Sequence, residues 1–297
     1  PTSSGEDSAS FSLLAQSPLS WLQFTLATTA VLSLLSYLWF LPLGPHLGDR
    51  YLNLITSHLP PSSPSLTLFL LLLIFSVSHS GLAALRPLSE SLIGPRSHRV
   101  LFAVVSLPLA LSSVSYFVNH CHDGLHLWSL PLSSSPLLHG LLWTGNFISF
   151  LFLYPSTFNL LEIAAVDEPK LHLWETGIIR ITRHPQTVGQ ILWCAMHTLT
   201  LGTSVSLTAS LCLITHHVLS VPHGDSRLLR RHGEEFERLK GRTSVVPFQA
   251  VLEGRQVLPE GYWREFVRAP YALVVGGTIA AYYAHPFMVG GAAMLNW

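Results

Sequence analysis

The sequence predicts an all-α, polytopic integral membrane protein of about six to seven spans, with an amphipathic interfacial segment before the last span. Three observations predict it. Charged residues make up 11% of the 297 positions and hydrophobic residues 49%, whereas a soluble domain carries about 25% Asp, Glu, Lys and Arg. The apolar residues come in long blocks, the pattern of helices that cross the hydrocarbon core, each of which needs about 20 apolar positions. The basic residues fall almost wholly on one side of those blocks. These features exclude a soluble enzyme, a disordered tail and a nucleic-acid binder. Sixteen Lys and Arg against sixteen Asp and Glu leave no net charge to steer acidic partners.

Residues 1–19 read as a polar N-terminal tail with Ser3, Ser4, Ser8, Ser10 and Ser12, the remnant expected after removal of an organelle-type targeting peptide. Residues 20–297 read as one membrane domain. Spans are expected at 20–43, 66–85, 100–119, 137–160, 187–201, 203–221 and 270–290. Only Leu201-Gly202-Thr203 separates the fifth and sixth, so a tight helical hairpin and one long kinked helix both stay open. The connecting segments are 44–65, rich in Pro and Ser, then 86–99, 120–136, 161–186 and 222–269. In the last of these, Leu228, Leu229, Phe236 and Leu239 are sparse among Arg227, Arg230, Arg231, Glu234, Glu235, Glu237, Arg238 and Lys240. That composition predicts a helix lying at the headgroup level.

With seven spans, the N-terminus and the segments 86–99, 161–186 and 222–269 share one side of the membrane. They hold 15 of the 16 Lys and Arg residues, and Arg50 alone falls on the other side. This asymmetry is what the positive-inside rule expects of a correct topology. It places the N-terminus and the basic loops toward the cytosol-like compartment, the stroma in a plastid.

Three cysteines, Cys121, Cys194 and Cys212, make no disulfide framework. Sixteen histidines equal the Lys and Arg together, and several interrupt apolar runs, where an ionisable side chain is a functional candidate by default. His79 lies seven residues before Arg86, roughly 10 Å inside the basic face at the helical rise. Cys194 and His197 lie seven and ten residues into the fifth span, roughly 10 and 15 Å from the same face. His184 stands at the entrance to that span, His216 and His217 at the end of the sixth, and His285 deep in the last.

Two imidazoles on facing helices at matched depth are what a bundle needs to hold a haem. Cys194 and His197, at i and i+3, share a helix face. A small rotation or slide of the helix would offer either one to the same metal. A thiolate suits ferric iron and a neutral imidazole ferrous iron, so the spacing suits a redox-controlled exchange of ligands. The alternatives stay open at this point: an inert buried cysteine, a histidine that hydrogen-bonds across helices, or a zinc site of separate His and Cys residues. No Cys-x-x-Cys-His occurs, which excludes covalent haem attachment, and no Walker loop, Gly-x-Gly-x-x-Gly, Gly-x-Ser-x-Gly or His-Glu-x-x-His occurs either. Glu162, Asp167, Glu168 and Glu175 read as solvated loop acids, and His120, Cys121, His122 and His126 as part of a wet interfacial loop, with metal binding there as the alternative.

Longer motifs carry a resemblance. Gly177-Ile178-Ile179-Arg180-Ile181-Thr182-Arg183-His184-Pro185-Gln186, running on through Gly189-Gln190 to Trp193-Cys194, is one of them. Others are Arg242-Thr243-Ser244-Val245-Val246-Pro247-Phe248, then Glu253-Gly254-Arg255-Gln256-Val257-Leu258-Pro259, Glu265-Phe266-Val267-Arg268 and Ala284-His285-Pro286. With His79-Ser80-Gly81-Leu82-Ala83 upstream, these resemble the NnrU family in its plastid zeta-carotene isomerase branch. The resemblance implies a multi-pass plastid membrane enzyme that binds non-covalent haem b. Its reaction would turn the central 15-cis double bond of tri-cis-zeta-carotene to trans. It further implies His79 and His197 as axial iron ligands and Cys194 as the alternative ligand, the three acting catalytically through the iron. The implied partners are the lipid membrane and a C40 carotene entering sideways from the bilayer, with association to other carotenoid enzymes or a photosynthetic complex.

A second likeness competes. Arg183-His184-Pro185, followed by Gly233-Glu234-Glu235-Phe236 and Pro247, resembles membrane isoprenylcysteine and phospholipid methyltransferases that hold S-adenosylmethionine. This sequence has Thr187 where those have tyrosine, and Arg230-Arg231 where they have an acidic pair. A non-catalytic haem cytochrome or a structural subunit of a photosynthetic complex is the third class.

Overall fold

In the structure, a computed structural model, residues 7–9, 17–41, 44–132, 134–165, 171–173, 175–267, 269–295 and 297 are described. Most of the tail 1–19 and the loop residues Asp167, Glu168 and Lys170 lie outside them. In chain order the elements are β1 (Asp7–Ala9), α1 (Pro18–Leu35), α2 (Leu47–Thr56), α3 (Pro64–Ala84), α4 (Arg86–Ile93), α5 (Pro95–His120) and α6 (Pro136–Ala165). There follow β2 (Leu171–Leu173), α7 (Ile178–Ile181), α8 (Pro185–Leu201), α9 (Ser204–His232), α10 (Glu234–Arg242), α11 (Gln249–Leu252) and α12 (Ala269–Ala293). The expected all-α, polytopic class holds; the two strands are a three-residue antiparallel pairing that sets Asp7 against Leu173.

Proline opens helix after helix, at Pro18, Pro64, Pro95, Pro136 and Pro185. Its missing N–H costs nothing in the first turn, and its fixed φ is already helical. Ser17 caps α1 by accepting from the Ser20 N–H at 3.1 Å. Among the described residues six helices are long and apolar enough to cross a membrane: Pro18–Phe40, Pro64–Ala84, Pro95–His120, Pro136–Leu153, Ser204–His232 and Tyr271–Ala293. The 17 residues of α8 reach about 26 Å at 1.5 Å per residue, just short of the hydrocarbon thickness of about 30 Å.

Several expected boundaries move. The helix read as ending at 221 runs on through Pro222 to His232, and the one read as ending at 160 runs to Ala165, so Glu162 is on a helix and not in a loop. The segments 44–65 and 86–99 contain α2 and α4. The interfacial segment is thus the exit of α9 together with α10, α11 and irregular chain, not one helix.

Gly202, at φ +63°, ends α8, and α9 begins two residues later. Oγ1 of Thr198 meets the carbonyl of Ser206 at 3.4 Å and the hydroxyl of Ser210. Two helices that touch at 198 and 210 must reverse direction between them, so this pair is a tight hairpin.

The chain divides into two compact units. The second comprises Gln16–Leu130, His197–Leu213 and Ala284–Trp297. Leu68, Leu71 and Leu72 of α3 pack there with Ile55 of α2, Tyr116 of α5, and Val205 and Ala209 of α9. Along α5, Ser106, Ser112, Ser113 and Ser115 are buried, small residues of the kind that let apolar helices approach closely. Trp39 donates its indole N–H to Ser112 at 2.8 Å.

The first unit comprises Pro1–Ala15, Pro131–Met196 and Ile214–Tyr283. Two buried apolar clusters in it are Phe236 and Leu239 of α10 with Leu228 of α9 and Leu173 of β2, and separately Ile178, Ile179 and Ile181 of α7. A Cβ on Gly189 of α8 would stand 2.7 Å from the Ser149 carbonyl oxygen of α6, so the glycine allows that close crossing. In both units large apolar side chains stay exposed, Val77, Leu137 and Phe287 among them, as lipid-facing helix surfaces require.

Candidate functional site

Helix α8 presents Cys194 and His197 one turn apart on one face, because 3.6 residues complete a turn. Cys194 is fully buried, and the Gln190 side-chain amide donates to its sulfur at 3.4 Å. His197 is half-buried. In α3, His79 is half-buried between aromatic rings: Phe75, one turn earlier, lies 5.2 Å away by centroids, and Phe102 of α5 lies 4.7 Å away. A second imidazole, that of His98, stands 6.1 Å from the same Phe102 ring.

The chain entering α8 is held by a buried ion cluster. Arg183 donates Nε and Nη2 to the Asp225 carboxylate at 3.2 and 2.9 Å, and Nε2 of His184 lies 2.8 Å from the same carboxylate. The three side chains are 9%, 13% and 11% exposed for Arg183, Asp225 and His184. Thr182 donates its hydroxyl to the Val245 carbonyl and accepts from the His184 N–H, while the Arg183 N–H donates to the Ser244 carbonyl. The segment 243–245 is thereby fixed along the entrance to α8.

A second cluster lies at α7. Arg180 grips Glu265 with Nε and Nη2 at 3.0–3.2 Å, and the Gly177 N–H donates to the same carboxylate at 2.5 Å. Tyr262 donates its hydroxyl to the Gly177 carbonyl at 2.6 Å. Burial, with the Glu265 carboxylate adding to it, pushes the Tyr262 phenol above its ordinary range, so it remains a donor. The reading of Glu175 as a solvated loop acid is corrected: its side chain is 13% exposed, paired with Arg242 at 2.6 Å and accepting from Gln256 at 3.0 Å. An acid flanked by apolar chain stays inside only when its charge is matched, and its partners arrive from 67 and 81 residues away.

The remaining histidines are scattered. His120 pairs with Asp123 at 2.6 Å and stacks on Tyr116; His122 and His126 are exposed, with His126 bonded to Ser129. His216 and His217 touch ring to ring at 5.5 Å, and His285 is exposed on α12. Among the described residues no three His, Cys, Asp or Glu side chains converge as a metal cage. A closed zinc site needs four ligands, whereas axial ligation of a haem needs two.

The family model described as NnrU protein matches residues 67–293, from the first turn of α3 to the end of α12. The chain belongs to the NnrU family. Two curated relatives carry the name 15-cis-zeta-carotene isomerase, chloroplastic. The one from Arabidopsis thaliana is 52% identical over 293 residues, covering 99% of this chain and 78% of the relative. The one from Zea mays is 51% identical over 297 residues, covering 100% of this chain and 80% of the relative. No solved structure matches. The NnrU region contains His79, Cys194 and His197 as well as both ion clusters.

Two functional candidates escaped the sequence reading: Asp225, which accepts from Arg183 and His184, and the buried His98. Asp225 lies 41 residues from His184. The cue it offered was a single acid in the basic stretch after Pro222. The side chains of both Arg183 and His184 in the Arg-His-Pro entrance are bonded to Asp225.

Proposed function

We propose that this NnrU-family chain is a 15-cis-zeta-carotene isomerase of the plastid membrane. It turns the central cis double bond of the C40 polyene to trans without net redox change, and it does so with a non-covalent haem b. The observation that carries the reaction is the 52% identity, over 99% of the chain, to a chloroplastic protein of that name.

The haem assignment rests on the donor set. His79 and His197 would hold the iron, with Cys194 as the alternative ligand. An imidazole flanked by two phenyl rings suits the flat apolar macrocycle, and a buried thiol with an amide donor suits a ligand whose anionic form needs support. When bound, the haem would supply an iron able to lower the order of a polyene double bond.

The chain's own residues orient and select. Phe75 and Phe102 limit rotation of the His79 ring, and Gln190 holds the Cys194 sulfur. Thr198, bonded to Ser210, fixes the end of α8 one residue beyond His197. The exposed apolar helix faces give a water-insoluble substrate its route from the bilayer. With α8 counted as a span, the 15-to-1 division of basic residues supports an orientation with the N-terminus and the basic loops toward the stroma.

The test is the optical spectrum of the purified chain in its ferric and ferrous forms, together with chromatography of 15-cis-zeta-carotene after incubation. A haem band whose ferrous form isomerises the carotene is expected. A haem band without turnover would reassign the chain as a cytochrome. Absence of haem with S-adenosylmethionine binding would reassign it as a methyltransferase.

A further inference from the structure

Two buried polar atoms on one stripe of α5 have no hydrogen-bond partner among the described residues: Nδ1 of His98 and Oγ of Ser106. His98 is 3% exposed. Residues 98, 102 and 106 recur every four positions and therefore share a helix face. The phenyl ring of Phe102, in the middle of this stripe, is also the ring that touches His79, so His79 and His98 are neighbours across a single side chain.

Depth separates the two orphans. Counted from Pro95, His98 lies about 5 Å along α5, Phe102 about 10 Å and Ser106 about 16 Å. His79, about 10 Å inside Arg86, is level with Phe102, as the contact between their rings requires. His98 is therefore about 6 Å nearer the polar face than His79. It stands between Arg96 and Arg99 in the sequence, and Arg96 donates to Gln23 at 2.6 Å.

A buried nitrogen without a partner costs about 1–3 kcal/mol, and such a group in a native protein calls for an unseen ligand or water. A water needs two to four polar partners, and the neighbour on this stripe is a phenyl ring. Haem b carries two carboxylates on one edge. In a membrane, that edge must turn toward the polar face and be met by hydrogen-bond donors.

We propose that His98 binds a haem carboxylate, its Nδ1–H donating to a propionate oxygen of a tetrapyrrole whose iron is held at the level of His79. The assignment rests on the haem reading above. It gives His98 a positioning role: the imidazole would hold the carboxylate edge of the macrocycle in place. Ser106, on the deeper side of Phe102, is too far from the polar face to serve a carboxylate.

The experiment compares two probes, haem b and its dimethyl ester, titrated into the detergent-solubilised, haem-depleted full chain and followed by the Soret band. The native chain should bind the free acid about tenfold or more tightly than the ester, the worth of one hydrogen bond to a charged group. His98→Leu should lose most of that preference while keeping the axial-ligand bands. His98→Gln, which retains an N–H donor, should recover part of it. Equal affinity of the native chain for acid and ester would overturn the proposal, and that measurement needs no variant to fold. An undiminished preference in His98→Leu would overturn it while leaving the haem reading intact. Failure of the native chain to bind either probe would remove both.

Discussion

Nε2 of His184 lies 2.8 Å from a carboxylate oxygen of Asp225, which Arg183 engages on both of its oxygens. Removing one member of a buried charge pair leaves the other uncompensated, at a cost of about 3–5 kcal/mol. Asp225→Asn should therefore lower the unfolding free energy by roughly 3 kcal/mol. Glu90→Gln, whose partner Arg86 is about a third exposed, should change it by less than about 1 kcal/mol. Denaturant titration in detergent compares them, and equal losses would mean that the cluster is solvated.

The Arg180–Glu265 pair is bidentate, and the Gly177 N–H shares its carboxylate. A double-mutant cycle of Arg180→Met and Glu265→Gln should give a coupling energy of about 1–3 kcal/mol, as residues in one network do. Protease cleavage within 175–182 should also rise in both single variants. Additive variants with unchanged cleavage would show that the pair does not hold the loop.

The sequence made the apolar blocks and the candidate ligands legible, because burial in lipid is written in composition. It did not make the helix ends legible. Pro222 and the charges after it mark where α9 leaves the apolar environment, but a helix can run out into water, and this one continues to His232. Leu201-Gly202-Thr203 was compatible with a hairpin or a kink because hydrophobicity does not report φ. The bonds of Thr198 to Ser206 and Ser210 across the left-handed Gly202 decide it. Glu175 and His98 were misread or passed over for one reason: their surroundings are assembled from residues distant in sequence, or on another helix, and no local pattern encodes them.

Gln190 donates to the one thiol on the face of α8 shared with His197. Under the haem reading, Cys194→Ser should change the ferric spectrum and leave the ferrous one, while His79→Ala and His197→Ala should lose haem binding or activity. Gln190→Leu should keep the sulfur as a ligand. It should lower the midpoint potential, because a donor to a ligating sulfur withdraws charge from the iron and favours the reduced state. Potentiometric titration reads this; an unmoved potential would separate Gln190 from the iron.

Gly202 supplies the sharpest test of the α8–α9 hairpin. A side chain there meets two penalties. Its φ of +63° costs a non-glycine residue about 1–2 kcal/mol, and a Cβ would overlap the backbone carbonyl of Trp128. That carbonyl has little freedom to move, because Leu127 and Trp128 donate their N–H groups to the Gly202 oxygen and the Trp128 indole donates to Leu199. Gly254, at φ +73°, carries the conformational penalty alone, with nothing within 4 Å of an added Cβ. Gly145 escapes the conformational penalty, and its Cβ would meet the flexible side chain of Met196, which can shift where a backbone carbonyl cannot. Alanine substitutions should therefore destabilise in the order Gly202, Gly254, Gly145, the first by about 3 kcal/mol once overpacking is added. Under the haem reading, which puts the candidate ligands Cys194 and His197 on α8, Gly202→Ala should also alter the haem spectrum, and Gly254→Ala should not. If the Gly202 variant proves no less stable than the Gly254 variant, the close approach of Trp128 to the turn is not what holds the hairpin.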